Sequence, residues 1–162
     1  MNRTGYIARI KAAYEGELYG ETWFAAMAGD AMTPDRRRKF VAMAQLEHQT
    51  RLCLMPLVTR LGITGVDEAA QRDKGIRLAR QHAGQSWPAF IAWFIEEITR
   101  FVALYDEMAR NSTEEDAAIL DELARHERAL LEFARLEAEG LTDRSLDPVL
   151  ALLDTRDSVN NP

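Results

Sequence analysis

The sequence predicts an all-α protein built on four long helices, and three observations carry that prediction. Apolar residues recur at intervals of three and four along four extended segments, the spacing that gathers them on one face of a helix. Glycine and proline are few and cluster between those segments. Each apolar seam also carries an inward acid or imidazole. The seam of the last long segment holds Ile119, Leu123, His126, Leu130 and Phe133, so a histidine falls in the middle of an apolar stripe. Four helices that each aim one such group inward outline a carboxylate metal bundle.

The first helix is expected over about residues 4–28. Its inner stripe is either Ile10, Tyr14, Glu17, Glu21, Phe24 and Ala28 or a neighbouring register through Leu18, and both registers include Glu21. Gly16 and Gly20 lie one turn apart beside the stripe. A glycine costs a helix interior about 1 kcal/mol relative to alanine, so the pair is read as a close approach of a neighbouring helix, in the bundle or across a dimer. Gly29 and Asp30 end this helix. Thr33 then serves as an N-cap with Pro34 at the first helical position, where its missing N–H is harmless. The second helix runs to about residue 61 with Phe40, Met43, Glu47, Thr50, Leu54, Leu57 and Leu61 in its seam. Pro56 is expected to bend it or end it early, and Gly62 stops it.

A more polar connection spans residues 62–86, with a weak amphipathic helix over 67–81. Short connections join antiparallel neighbours, whereas one this long lets the chain cross a bundle and begin a second pair. The third long helix covers about residues 86–110, with Pro88 in its first turn. One of its stripes is Phe90, Phe94, Glu97, Phe101, Leu104 and Met108; the other is Ile91, Ile95, Ile98, Val102 and Tyr105. A helix apolar on two faces is buried on two sides, against the crossover or a partner subunit. Ser112 and Thr113 can cap the fourth helix, Ser112 with Glu115 at capping-box spacing, and Gly140 stops it after residue 139. A short helix over 147–153 and a disordered polar end over 156–162 complete the chain. The whole is read as one domain, with its core over about residues 4–139 and an extension over 140–162.

Composition narrows the function. At 162 residues, 28% charged and 47% hydrophobic, the chain has the make-up of a globular domain able to close its own core. A formal charge of −6 argues against general nucleic-acid binding, which rests on neutralising phosphates. The basic run Arg36, Arg37, Arg38 and Lys39 reads as a solvated helix face, since Asp35 precedes it and no aromatic residues interleave. Cys53 is the only cysteine, so no intrachain disulfide is possible, and it is read as a small buried hydrophobe. No leader and no apolar run of about 18 residues is found, so a cytoplasmic location without membrane contact is expected. Gly62-Ile63-Thr64-Gly65 lacks the lysine of a P-loop, and no Ser-His-Asp arrangement suggests a hydrolase. His48 and His82 fall outside the seams and read as surface residues. Tyr14, Tyr19 and Tyr105 read as core or interface packing rather than as an electron relay.

In helix order, long crossover and inward acids, residues 4–139 resemble the ferritin-like superfamily, in particular the rubrerythrin-type four-helix bundles. Such a di-metal site takes one Glu from each of two helices and a Glu-x-x-His pair from each of the other two. The resemblance implies Glu21 as the first-helix ligand, with Glu17 as the fallback, and Glu97 from the third helix. The second-helix pair falls on Glu47 and Thr50, and the fourth on Leu123 and His126, so one histidine and one glutamate of the pattern are absent. Glu122 is one residue off the required face, though at i,i+4 to His126. What remains suits one iron, manganese or zinc ion on some of Glu21, Glu47, Glu97 and His126, with Glu17, Thr50 and Glu122 as additional candidates.

Two readings of function follow. The first is a metal-binding protein with this reduced carboxylate–histidine centre, a redox enzyme acting with oxygen or peroxide on a small substrate. The second is a metal-free bundle serving as a binding or assembly module, its acids matched by Arg51, Arg100 or His126 in a hydrogen-bonded network. Glu47 with Arg51, and Glu97 near Arg100, have the spacing for such pairs. The doubly apolar third helix and the Gly16/Gly20 face suggest a homodimer.

Overall fold

The computed structural model of the protein describes the backbone of residues 3–160 and the side chains of residues 3–154. These residues form six α-helices and no strand: α1 Arg3–Gly29, α2 Pro34–Arg60, α3 Glu68–His82, α4 Trp87–Arg110, α5 Glu114–Ala138 and α6 Asp147–Asn160. The chain divides into two compact units, Met1–Ala83 and Gly84–Pro162. Among the described residues no helix is long and apolar enough to cross a membrane.

In the first unit α1 packs against both α2 and α3. The α1–α2 turn is set by local chemistry: the Thr33 hydroxyl accepts from the Arg36 amide at 3.2 Å, and Pro34 opens α2. The α2 seam is buried as its spacing predicts, from Phe40 and Met43 through Glu47 and Thr50 to Leu54 and Leu57. Pro56 does not end the helix, which continues to Arg60. The residue is exposed, so water can satisfy the carbonyl that its missing N–H leaves behind. Gly62, with φ of 65°, then closes α2 while the Ile63 amide reaches back to the Val58 carbonyl at 3.0 Å.

The weak helix expected over 67–81 forms as α3, capped by the Asp67 carboxylate on the Ala70 amide at 3.0 Å. Its buried residues are Gly75, Ala79 and His82. Gly75 lies directly on α1: a Cβ there would stand 2.5 Å from the Tyr19 carbonyl oxygen and 2.9 Å from the Trp23 amide nitrogen. Lys74 places its ammonium 3.6 Å from the centre of the Tyr19 ring, a cation–π contact, and Lys11 donates to the Gly65 carbonyl at 2.8 Å. His82 is buried, its ring 5.9 Å from that of Trp23; it is not the surface residue that its place outside the long seams suggested. Two smaller expectations also change here. Lys39 is buried and paired with Asp35 at 2.6 Å, so only the rest of the basic run faces water. Cys53 is half-buried.

In the second unit α5 packs against α4 and α6. Ser86 caps α4 by accepting from the Ala89 amide at 3.4 Å. The capping box proposed for α5 is absent, because the Ser112 hydroxyl donates to the Ala109 carbonyl at 2.7 Å and so finishes α4. Thr113 is the α5 N-cap without a side-chain bond; Glu114, Glu115 and Asp116 fill the first turn, where negative charge is favoured. The buried residues of α4 combine both expected stripes: Phe90, Phe94 and Met108 from one, Ile91, Ile98 and Tyr105 from the other. Helix α6 runs to Asn160, past the short helix expected to residue 153. The expected disordered end is therefore helical over 156–160, and 161–162 lie outside the described residues.

An interior carboxylate fastens the α5–α6 corner. Glu137 accepts from the Trp87 indole N–H at 2.6 Å and from the hydroxyl of fully buried Ser145, which also reaches the Thr142 carbonyl at 3.0 Å. A buried acid so supplied with donors needs no metal to explain it.

Candidate metal centre

The first unit brings four of the sequence-predicted residues to one stretch of the α1–α2 contact: Glu17 and Glu21 on α1, Glu47 and Thr50 on α2. Glu17 and Glu47 are both buried, and each offers a carboxylate oxygen within 4.8 Å of the other. Glu17 hydrogen bonds to Glu47. Burial pushes the Glu47 carboxyl up to about 8; the bond from Glu17 pulls against that shift and the charge of Glu21 adds to it. A carboxyl so placed holds its proton through neutral pH.

Gly20 makes the room for this pair. A Cβ on Gly20 would stand 2.5 Å from Glu47 Oε2, 2.7 Å from Cδ and 3.0 Å from Oε1. The expected close approach at Gly20 is thus real, and what approaches is a carboxylate. Thr50, one turn beyond Glu47, is buried as well.

Glu21 lies one turn after Glu17 but belongs to a different cluster. The Arg51 Nε–H donates to Glu21 Oε2 at 3.2 Å, and His48 Nδ1 lies 3.1 Å from Glu21 Oε1. Arg51 Nη2 is 3.2 Å from the same His48 Nδ1. That nitrogen accepts from Arg51 in one tautomer or donates to Glu21 in the other, and not both at once. Burial works against the Arg51 charge, yet its hydrogen bond with buried Tyr14 and the neighbouring Glu21 carboxylate hold its pKa above the ordinary value. The Glu47–Arg51 pairing that helical spacing suggests is replaced by this Glu21–Arg51 pair.

In the second unit His126 is fully buried on α5 amid Leu123, Leu130 and Phe133, as the seam predicts. Glu97 is half-buried and bound to Arg100 at 2.7 Å, the pairing its sequence neighbourhood suggested. Glu122 is bound to Arg125 at 2.6 Å. Sequence reasoning missed three buried acids here, Asp116, Glu127 and Glu137. Glu127 follows His126 directly, and one step around a helix is about 100°, so the stripe that captures one excludes the other.

No protein-family model, no curated protein and no solved structure matches the chain.

The donor set fits a metal. Carboxylates are ligands that iron, manganese and zinc all accept, and Gly20 leaves the space in which the Glu47 carboxylate lies against α1. Without a metal, the same pair is held by a proton.

Proposed function

We propose that the chain is a ferritin-like metal-binding protein in which the Glu17–Glu47 pair holds a single iron, manganese or zinc ion. The observation that carries this reading is the Glu17–Glu47 pair. Two adjacent interior carboxyl groups are costly unless a proton or a cation compensates them, and a divalent ion compensates both. Both residues are buried, and each offers a carboxylate oxygen within 4.8 Å of the other. Glu21, Glu97 and Glu122 already have cationic partners, which favours one ion over two.

On this reading α1 and α2 are one helix pair, α4 and α5 are another, and α3 belongs to the connection between them in the chain. Bound iron or manganese would supply electron exchange with oxygen or peroxide. The protein's part is to bind the ion through Glu17 and Glu47, to release the Glu47 proton as the ion enters, and to keep bulk water from the centre by burial. A homodimer belongs to the same proposal. Gly20 no longer supports it, since the Glu47 carboxylate faces that glycine; the second stripe of α4 still does, with Ile95 and Val102 only half-buried. Light scattering after size exclusion tests it, and a monomer alone would refute it.

The proton-sharing carboxyl pair also favours a second reading, a metal-free helical module that binds or assembles with a partner. Anaerobic titration with ferrous iron separates the two. One equivalent bound, followed by oxygen or peroxide consumption, supports the metal reading; no binding at pH 8, where the proton competes less than at neutral pH, leaves the metal-free module.

A further inference from the structure

We propose that Arg51 is a built-in cation that takes the place of a second metal ion, limiting the centre to one ion and masking a second site made by Glu21 and His48. The proposal rests on the metal reading above. The geometry is confined to α1 and α2. Glu21 Oε1 and His48 Nδ1 are 3.1 Å apart, close enough for both to bind an ion at about 2.0–2.2 Å. Arg51 occupies those donors instead. Its Nε–H is on Glu21 Oε2, and its Nη2 is beside His48 Nδ1.

The guanidinium is held where it can do this. Its side chain is 13% exposed, and it is also hydrogen bonded to the buried Tyr14. Glu21 follows Glu17 by one turn of α1, and His48 follows Glu47 directly on α2. Glu21, His48 and the Glu17–Glu47 pair therefore have the make-up of a two-ion site in which one cation is part of the chain. An arginine stays charged at every physiological pH, so it repels a second ion under all conditions in which the first binds. With Arg51 gone, Glu21 and His48 would be one carboxylate and one imidazole without that cation, a donor set suited to the same metals.

Cobalt(II) and zinc(II) are the probes, with calorimetry giving stoichiometry and cobalt absorbance reporting each site's ligand field. The wild type is expected to bind one equivalent and Arg51→Gln two, with a second set of cobalt bands. Adding Glu21→Gln to Arg51→Gln should return the count to one. A folded Arg51→Gln that still binds one equivalent overturns the proposal while leaving the single-ion centre standing. Should Arg51→Gln lose its helical circular dichroism, Glu21→Gln alone decides. It keeps one equivalent if Glu21 serves Arg51, whereas loss of that equivalent makes Glu21 a ligand of the first ion and overturns the proposal. Failure of both wild type and Arg51→Gln to bind either metal removes the metal reading and this inference together.

Discussion

Gly20 and Glu47 are in contact across the α1–α2 interface, with the carboxylate where a Cβ would be: Oε2 is 2.5 Å from that position. A helical glycine has thus been kept at a stability cost to admit an acid into the interior. Gly20→Ala should reverse the exchange. Alanine gains about 1 kcal/mol of helix propensity, while its methyl group forces the Glu47 carboxylate off its place. Stability by urea denaturation should change by less than about 1 kcal/mol, and metal affinity should fall at least about tenfold. An unchanged affinity would mean that the carboxylate position is not what binds the ion.

The Glu47 carboxyl makes the metal-free protein pH-sensitive. Its pKa is raised from 4.5 to about 8, so between those values the folded chain holds a proton that the unfolded chain has released. Stability from this group is complete below about pH 4.5 and is lost as pH rises towards 8, by at most about 1.4 kcal/mol per pH unit. Denaturation of metal-free protein from pH 5 to 8 should show that decline. Glu47→Gln removes the titrating group and should flatten it, with stability at pH 8 equal to or about 1–3 kcal/mol above wild type. A parallel decline in the variant would assign the effect to other groups.

Metal binding should run the other way with pH. The Glu47 proton must leave before the carboxylate can ligate, so affinity should climb from pH 6 to about 8 and level off above it. Calorimetry in buffers of different ionisation enthalpy would count the released proton. A flat profile would exclude Glu47 as a ligand.

Much of the fold was legible because helix ends are local chemistry. Thr33 with Pro34, Gly62, Ser86 and Gly140 each did what their side chains or φ dictate. Helix α3 was the faint one, because its contact with α1 is made by Gly75 and Ala79 rather than by an apolar stripe. Of the candidate site, Glu47 and His126 were marked by their seams, and both are buried. Choosing between Glu17 and Glu21 was beyond periodicity. Residues four apart differ by only about 40° around a helix. What separates them is the opposite helix, where Arg51 and His48 meet Glu21 and Glu47 meets Glu17.

Gly75→Ala tests the α3 attachment. Its methyl group would meet the α1 backbone at Tyr19 and Trp23, which cannot yield as a side-chain tip can. We expect a loss of about 1–3 kcal/mol and faster hydrogen exchange in α3 than in α2. Unchanged exchange in α3 would contradict the close contact.

Glu137→Ala tests the α5–α6 corner. It removes the acceptor shared by the Trp87 indole and the Ser145 hydroxyl, so a loss of about 1–3 kcal/mol is expected. Glu137→Gln keeps one acceptor oxygen and should lose less. Equal losses would show that charge, rather than donor satisfaction, is what Glu137 supplies.

Elemental analysis of tag-free protein, beside Glu17→Gln and Glu47→Gln prepared in the same way, tests the central claim most directly. The metal reading predicts close to one iron, manganese or zinc per wild-type chain and little in either variant. Wild-type protein that carries no metal, and takes up none when loaded anaerobically at pH 8, would contradict it.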